Sequence, residues 1–350
     1  MPVEISVIIT VYNRKKYLKE AVNSVLNSTL NRTFYEIIVV KNFLDNEIDT
    51  YLNMNGVIII NTQDVNIGRQ IAYGLSRASG NVISFLDDDD QFETNKLSVI
   101  LSEFKDQTLI YYHNLNTPIS ENSTPMQGMI NPPIKSELIL YPDTTENLMI
   151  SLSQRKDMTH YTIMFNLSCV SLRKEVLLKR KAYLERIIDG TDHFVFYISL
   201  LENKKMKFDT KYLTIYRVHE SASNLLSGEF EPKRIGIQSI KLFLEPGHYA
   251  RILDEMTRGS KVNSLIKCKL LEETLLIDIL SFEMKTHYSI RNFFQYMNCL
   301  KINYRPSLKN SMVRFIFVTL ALIFPKMTGI GYMMYKHSRY RKKLHLNYLN

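Results

Sequence analysis

The first hundred residues alternate between continuous apolar runs and stretches with apolar residues at helical spacing. The apolar runs are typical of strands buried on both faces and cover residues 5–11, 36–40, 57–60 and 82–86. Between them, the spacing predicts amphipathic helices, one of which begins at Gly68 and ends at Gly80. This alternation predicts an α/β domain with a mostly parallel sheet and helices on both faces.

The pattern changes in the remaining chain. Five prolines between Thr117 and Pro142 predict a long surface excursion. Residues 161–172 contain mixed apolar residues and predict a strand. A helix that begins at Arg173 is predicted to follow it. Residues 233–301 predict helices. We therefore expect three parts: an α/β domain at 1–228, a helical extension at 229–305 and an apolar, basic tail at 306–350.

Charge is unevenly placed along the chain, whose net charge is +9. The residues up to Glu283 carry 32 basic and 35 acidic groups, whereas twelve basic and no acidic groups follow it. A basic tail favours an anionic partner, either a membrane surface or nucleic acid. The apolar run at 315–324 is shorter than the roughly 20 residues of a membrane span, so we expect peripheral contact with an anionic leaflet. A buried helix with a solvated basic end is the alternative.

Two further features bear on location and partners. Cys169, Cys268 and Cys299 are far apart and match neither a metal-binding nor a disulfide spacing. The N-terminus lacks the charged-then-apolar pattern of a signal peptide. We therefore expect a cytoplasmic protein, peripheral on the inner membrane face. No motif supports nucleic-acid binding, and no nucleic acid is expected as a partner.

The fourth apolar run ends in four consecutive aspartates, residues 87–90. Like charges this close repel one another and resist burial, so the cluster needs either solvent or a divalent cation. Hard cations such as Mg²⁺ and Mn²⁺ take oxygen ligands and often share them with substrate phosphates. Residues 10–13 and 41–42 follow two other strands, and ligands bind beyond the carboxyl ends of such strands. The sequence therefore predicts a metal–phosphate site, with a solvated acidic turn as the alternative.

The order of several short motifs resembles family 2 glycosyltransferases of the GT-A fold over residues 3–224. The matching pieces are Ile5–Arg14, Asn66–Arg69 with Ala72, Gly74, Ala78 and Gly80, Phe85–Asp90 with Lys96 and Leu97, Cys169–Leu177, Gly190–Phe194 and Tyr216–Ser221. Two pieces depart from the family pattern. Lys41-Asn42-Phe43-Leu44-Asp45 replaces a run with a base-reading Asp, and Thr191-Asp192 replaces a Glu-Asp pair.

The resemblance implies a metal-dependent, inverting sugar transfer from a UDP- or GDP-type nucleotide-diphosphate sugar to a glycan or lipid-linked acceptor hydroxyl. It implies that Asp192 is the catalytic base, that Asp89 and His219 bind Mn²⁺ or Mg²⁺, and that Arg217 pairs with the diphosphate. The implied donor and nucleotide contacts are Thr10, Tyr12, Asn13, Arg14, Asn42, Asp45, Arg69, Asp87 and Asp88. The plainer alternatives are a helix-capping Asp192, a packed His219, a surface Arg69 and a core-edge Tyr12.

Two other functions stay open at this point. A nucleotidyltransferase that makes sugar nucleotides also uses a parallel sheet, carboxylates and Mg²⁺. It usually has a glycine-rich phosphate loop early in the chain, and Val11-Tyr12-Asn13-Arg14 is not glycine-rich. A non-catalytic, membrane-associated scaffold could retain the fold alone, in which case the carboxylates would be dispensable.

Overall fold

The computed structural model describes residues 2–125, 136–140, 166–219 and 245–271 without 261, 265 and 269, and the single positions 294, 295, 316 and 320. The described residues form two compact units, one ending at Val218 and one beginning at His219. Within these ranges no helix combines the length and the apolarity needed to cross a bilayer. The three predicted parts stay predictions, and nearly all of the tail lies outside the described residues.

The first unit opens with alternating strands and helices, as predicted. They are β1 Ile5–Val11, α1 Leu18–Leu26, a 3₁₀ turn Arg32–Phe34, β2 Tyr35–Lys41, α2 Asn46–Met54, β3 Ile58–Asn61, α3 Ile67–Arg77, β4 Val82–Asp87, β5 Gln91–Phe92 and α4 Lys96–Glu103. The unit continues with β6 Leu109–Ser120, β7 Leu138–Leu140, a 3₁₀ turn Leu167–Cys169, β8 Val170–Arg173, α5 Lys174–Leu178, α6 Lys181–Leu184, α7 Thr191–Leu200 and β9 Lys205–Val218.

All nine strands belong to one sheet, in the order β3-β2-β1-β4-β8-β6-β9-β5, with β7 beside β9. The half built from β1 to β4 is parallel throughout, so the carboxyl ends of β1, β2 and β4 lie at one edge. The other half is mixed, because β8 runs antiparallel to both β4 and β6 while β6 and β9 are parallel. The α/β class is confirmed, and the sheet is less parallel than expected.

The predicted surface excursion is partly wrong. Its first residues extend β6, in which Pro118 pairs in register with Tyr216 of β9. Proline lacks an N–H donor, so it is tolerated only where the ladder does not need one, and its presence alone did not mark a loop. Residues 138–140 form β7 on the other side of β9. The predicted strand at 161–172 is described from residue 166 onward, where only residues 170–173 are extended.

Close packing between α3 and β1 depends on two glycines. A Cβ on Gly74 would lie 2.7 Å from Cγ2 of Ile8, and one on Gly80 would lie 2.7 Å from the backbone N of Ser6. Helix α3 ends at Arg77, before Gly80. The prediction that Gly80 ends the helix is therefore wrong. Because it has no side chain, Gly80 instead lets the chain pass against β1.

The apolar faces predicted for α1 and the first strands form one core. Burying each aliphatic side chain contributes about 1.5–3 kcal/mol, so this core is a main source of stability. Its fully buried members include Ile5, Val7, Ile9, Val11, Leu18, Ala21, Val22, Val25, Ile37 and Val39.

The second unit is helical where it is described. Its helix α8, Tyr249–Met256, buries an apolar face, and Asn263 closes the following turn by donating to Thr257 Oγ1 at 3.0 Å. Cys268 is disulfide-bonded, so the cysteine spacing, which indicated no disulfide, was misleading at this position. Cys169 in the first unit is free and buried, as predicted.

Candidate functional site

The ends of β1 and β2 are joined by a pair of asparagines. Asn13 adopts a left-handed conformation with φ 51°, and its backbone N–H donates to Asn42 Oδ1 at 2.7 Å. Asn42 Nδ2 donates in return to Asn13 Oδ1 at 3.0 Å. The Tyr12 side chain, 52% exposed, lies at the same strand end. The predicted nucleotide side of the crevice is therefore an open surface with a polar pair at its floor.

The end of β4 joins this surface through strand register. Thr10 pairs with Val40 of β2 on one side and with Asp87 of β4 on the other. Parallel register thus places the predicted nucleotide-binding turn and the aspartate run side by side. The structure brings together most of the residues that the resemblance implied.

Arg14 bridges the two sides. Its Nε lies 3.1 Å from Asp88 Oδ2 and its Nη2 lies 2.5 Å from Asp88 Oδ1. The same Nη2 lies 2.5 Å from Asp89 Oδ2. Although burial alone would lower it, these carboxylates raise the pKa of Arg14 above its usual value. Arg14 is therefore held as a cation among the aspartates.

The carboxylates of Asp87, Asp89 and Asp90 form a group of possible metal ligands. One oxygen from each lies within 4.8 Å of the others. Asp90 is 1% exposed, and its two oxygens accept from Asn166 Nδ2 at 2.7 Å and from the backbone N–H of Arg217 at 3.1 Å. Because Asp90 is used to hold the turn, Asp87 and Asp89 are the better candidates for a cation.

Burial and mutual repulsion disfavour ionisation in this cluster. Burial, followed by the charges of Asp90 and Asp89, raises the pKa of Asp87 well above its usual value. Burial raises the pKa of Asp88 to about 6, against the opposing effect of Arg14. Burial and the charge of Asp89 raise the pKa of Asp90 to about 7. A set of hard oxygen ligands under such repulsion fits a divalent cation.

A scaffold that the sequence analysis did not assign lies behind the aspartates. The Asp87 N–H donates to Ser168 Oγ at 2.9 Å. Fully buried Lys96 donates through Nζ to the Ser168 carbonyl at 2.5 Å and to Thr214 Oγ1 at 2.9 Å. Burial lowers the pKa of Lys96 to about 7. Lys96 follows the aspartate motif in sequence, which was the one available signal; nothing local marked Ser168 or Thr214.

Arg217 is committed to protein contacts rather than exposed to a ligand. Its side chain is 1% exposed and makes four hydrogen bonds: Nε to the Asp89 carbonyl, Nη1 to the Glu121 carbonyl and Ser123 Oγ, and Nη2 to Glu20 Oε2. Its guanidinium also lies 4.4 Å from the centre of the Tyr17 ring. These contacts argue against the predicted diphosphate contact of Arg217, because a pairing with phosphate would require breaking them.

Asp192 lies in the first turn of α7, with 20% of its side chain exposed. The N-cap position is taken by Gly190, with φ 59°, so Asp192 is not the cap residue. Asp192 Oδ1 accepts from the His193 backbone N–H at 2.8 Å and lies 3.0 Å from His193 Nδ1. Burial alone would raise the pKa of Asp192, but the interactions with His193 lower it. Its negative charge contributes to the raised pKa of Asp87, so Asp192 acts electrostatically on the aspartate cluster.

Three other predicted residues remain, and two of them, Asp45 and Arg69, have local partners. Asp45 caps α2 by accepting from the Ile48 N–H at 3.0 Å, and it pairs with Lys15 Nζ at 2.6 Å. Arg69 is 53% exposed and pairs with Asp64 at 2.9 Å. His219 begins the second unit. Ligand contacts for all three stay predictions.

Comparisons with known proteins agree with this arrangement. Residues 6–180 match the family described as Glycosyl transferase family 2. An uncharacterized glycosyltransferase of Rickettsia typhi is 23% identical over 224 residues, which are 62% of this chain and 64% of that protein. A Bacillus subtilis protein, named for glycosyl transfer in teichuronic acid biosynthesis, is 26% identical over 152 residues, 42% of this chain and 58% of its own. The matches span less than two thirds of either relative.

A solved structure shares the fold. TarS of S. aureus, residues 1–349 in complex with UDP-GlcNAc, aligns with a TM-score of 0.53 and 16% sequence identity, covering 91% of each chain. At that identity the likeness establishes the fold alone. The family match extends from β1 to beyond β8 and includes the aspartate run and the nucleotide-side turn. The chain therefore belongs to glycosyltransferase family 2.

Proposed function

We propose that this chain is an inverting, metal-dependent glycosyltransferase, which moves a sugar from a nucleoside-diphosphate donor to an acceptor hydroxyl. The convergence of the Asp87, Asp89 and Asp90 oxygens within 4.8 Å, beside an exposed Tyr12, carries the proposal. The UDP-GlcNAc complex of the TarS neighbour supports a UDP-type donor over a GDP-type donor. Membership of the family disfavours the nucleotidyltransferase alternative.

The residues of the acidic turn fit a divalent cation. Asp87 and Asp89 would hold Mn²⁺ or Mg²⁺, and His219 is the further ligand that the family resemblance implies. When bound, the cation supplies Lewis-acid stabilisation of the diphosphate leaving group. Asp90 and Arg217 keep the turn in place, and Arg217 takes a positioning role instead of the diphosphate contact first expected.

The chain's own residues would perform the remaining steps. Tyr12 would stack on the base, and Thr10, Asn13, Asn42 and Asp45 would lie on the same side of the site. Asp88 and Arg14 would orient the ribose or sugar hydroxyls and the diphosphate. Arg69 is a further proposed donor contact. Asp192 would accept the acceptor's proton as its oxygen attacks the anomeric carbon. Its lowered pKa keeps the carboxylate ionised at neutral pH, as a base requires. Attack opposite the leaving group inverts the anomeric centre.

A glycan or lipid-linked acceptor is part of this proposal. The name of the Bacillus subtilis relative, which concerns polysaccharide synthesis, supports a glycan. The twelve basic residues after Glu283 support peripheral contact with an anionic membrane surface, where a lipid-linked acceptor would be found.

A thermal-shift experiment tests the donor and metal parts. Wild-type protein should be stabilised by UDP-sugars with Mn²⁺ or Mg²⁺ and much less after chelation. Asp89→Asn should lose the metal-dependent part of the shift, because it removes one of two anionic ligands. Glu175→Gln serves as the control, since this half-exposed carboxylate pairs with Lys204 away from the turn. Unchanged metal-dependent stabilisation of Asp89→Asn would refute the metal role.

The base assignment has its own test. Asp192→Asn should keep the donor-induced thermal shift and lose about 10²–10⁴-fold in transfer rate, the usual contribution of a general base. Equal loss of donor binding and transfer would instead make Asp192 a structural residue. The donor-induced thermal shift and the rate of transfer to an oligosaccharide acceptor are the two readouts.

A further inference from the structure

Arg14 shares one carboxylate with the group of possible metal ligands. It holds Asp88 with two contacts, Nε to Oδ2 at 3.1 Å and Nη2 to Oδ1 at 2.5 Å. It holds Asp89 with one, at 2.5 Å. Asp89 also belongs to the set of oxygens within 4.8 Å that could hold a cation, whereas Asp88 does not. Arg14 and a bound cation would therefore each have carboxylates that the other does not contact, Asp88 for Arg14 and Asp87 with Asp90 for the cation. Both would contact Asp89.

We propose that Arg14 is a built-in counter-ion that competes with the divalent cation for Asp89 and moves onto the diphosphate when the donor binds. This inference rests on the proposed function and deepens it. It makes metal and donor binding cooperative: the donor draws Arg14 away from Asp89, and the freed carboxylate then holds the cation more tightly.

The other buried cations beside the turn direct their charge elsewhere. Lys96 donates to the Ser168 carbonyl and to Thr214, and the Arg217 side chain forms its ion pair with Glu20. Asp90 is held by an amide and a backbone N–H, both uncharged. Among the residues that the structure describes, Arg14 is the one whose charge lies directly against the side chains of the aspartate run.

The position of Arg14 allows the exchange. Its side chain is 31% exposed, whereas that of Asp88 is 6% exposed. Arg14 lies in the irregular segment between β1 and α1, directly after the left-handed Asn13. Movement of its guanidinium therefore breaks no helix or strand. A diphosphate offers oxygens that arginine recognises through paired hydrogen bonds, so the cation would exchange one anionic partner for another.

Opposite changes in two affinities would distinguish this role from a simple structural ion pair. Arg14→Gln should bind Mn²⁺ alone about tenfold more tightly, because a nearby positive charge is removed and Asp89 is released. The same variant should bind UDP about tenfold more weakly, since the diphosphate loses its partner. Arg14→Lys, which keeps the charge, should return both affinities towards the wild-type values.

Isothermal titration calorimetry with Mn²⁺ alone, UDP alone and UDP in saturating Mn²⁺ measures these effects. Arg180→Gln is the matched control, because Arg180 pairs with Glu202 outside the site, and it should leave all three affinities unchanged. Coupling between UDP and Mn²⁺ should be about tenfold smaller in Arg14→Gln than in wild type. If wild type shows the coupling and Arg14→Gln keeps it with unchanged Mn²⁺ affinity, this inference is overturned and the proposed function stands.

Two further outcomes are decisive. Wild-type protein without any Mn²⁺-dependent UDP affinity would overturn the proposed function together with this inference. If Arg14→Gln does not fold, NMR of the Arg14 Nε–H group in wild-type protein replaces it. That resonance should shift when UDP and Mg²⁺ are added together, and an unchanged resonance would overturn the exchange.

Discussion

The two sides of the crevice are built in different ways. On the nucleotide side, Tyr12 is 52% exposed and the Asn13–Asn42 pair joins two strand ends through surface hydrogen bonds. On the acidic side, Asp88 and Asp90 are 4% and 1% exposed and belong to a network of buried polar groups. One side is an open surface, and the other is a fixed arrangement of buried charges.

This difference separates the stability of the site from its ligand affinity. Surface hydrogen bonds and ion pairs contribute little, since water competes for them. Buried charges need all their partners, because a charge left unpaired in the interior is costly. Substitutions of the buried groups Asp88, Asp90 and Arg217 should therefore act mainly on folding, and those on the nucleotide side mainly on binding.

The largest effect is expected for Arg217→Ala. This change leaves the Asp89 and Glu121 carbonyls without their described donor, breaks the ion pair with Glu20 and removes the contact with Tyr17. We expect the free energy of unfolding to fall by about 4 kcal/mol, because several hydrogen bonds from a charged donor are lost, each of which contributes about 1.5–3 kcal/mol. Urea denaturation measures it. Arg180→Ala should cost less than about 1 kcal/mol, and similar losses in both variants would contradict the contrast.

An intermediate effect is expected from the pH dependence of Asp88→Asn without metal. Burial raises the pKa of Asp88 to about 6 in the folded protein, so the folded state binds the proton more tightly than the unfolded chain. The contribution of Asp88 to stability is present at low pH and is lost as the pH rises through the folded pKa. An asparagine does not titrate, so its stability relative to wild type should rise by about 2 kcal/mol between about pH 4 and about pH 7.

Urea denaturation at several pH values, in the presence of a chelator, measures this difference. Asp106→Asn provides the comparison, because hydrogen bonds from Thr108 and Lys205 lower the pKa of Asp106 and reverse the sign. A flat or falling difference for Asp88→Asn would show that the aspartate is not held in an environment that disfavours its charge.

The smallest stability effect is expected for Asn42→Ala. It removes two exposed hydrogen bonds, one from the Asn13 backbone N–H and one to the Asn13 side chain, so the free energy of unfolding should fall by less than about 1 kcal/mol. The affinity for UDP should fall several-fold, because Asn13 loses the partner that holds its left-handed turn. Calorimetry and urea denaturation together test this. A stability loss equal to that of Arg217→Ala would erase the distinction between the two sides.

A contrast between fully buried and partly exposed strands explains which strands could be predicted from the sequence. Strands buried on both faces appear as continuous apolar runs, and β1 was predicted with its observed bounds, Ile5–Val11. Strands β6 and β9 were not predicted, because polar residues interrupt β6 and charged residues interrupt β9. Burial alternates irregularly along β9, and the register between β6 and β9 shifts at several points. Short-range periodicity does not reveal such strands.

The sequence identified the motifs that form the site but not the separate role of each residue in it. The four aspartates were identified together, since an acidic run after a buried strand is visible in sequence. Their separate roles depend on Asn166 and Arg217, which contact Asp90 from 76 and 127 positions away. No local pattern encodes contacts of that range, so the sequence did not reveal that Arg217 holds the turn.

The position of β8 between β4 and β6 has a consequence for protein synthesis. The ribosome completes β1 to β4 long before it reaches residues 170–173, so the outer edge of β4 has no neighbouring strand during that time. At about 5–20 residues per second, the aspartates leave the ribosome several seconds before Arg217 does. A nascent chain would therefore display an unpaired sheet edge beside an acidic turn that already has Arg14 but still lacks Asn166 and Arg217, a state in which a chaperone would favour correct folding.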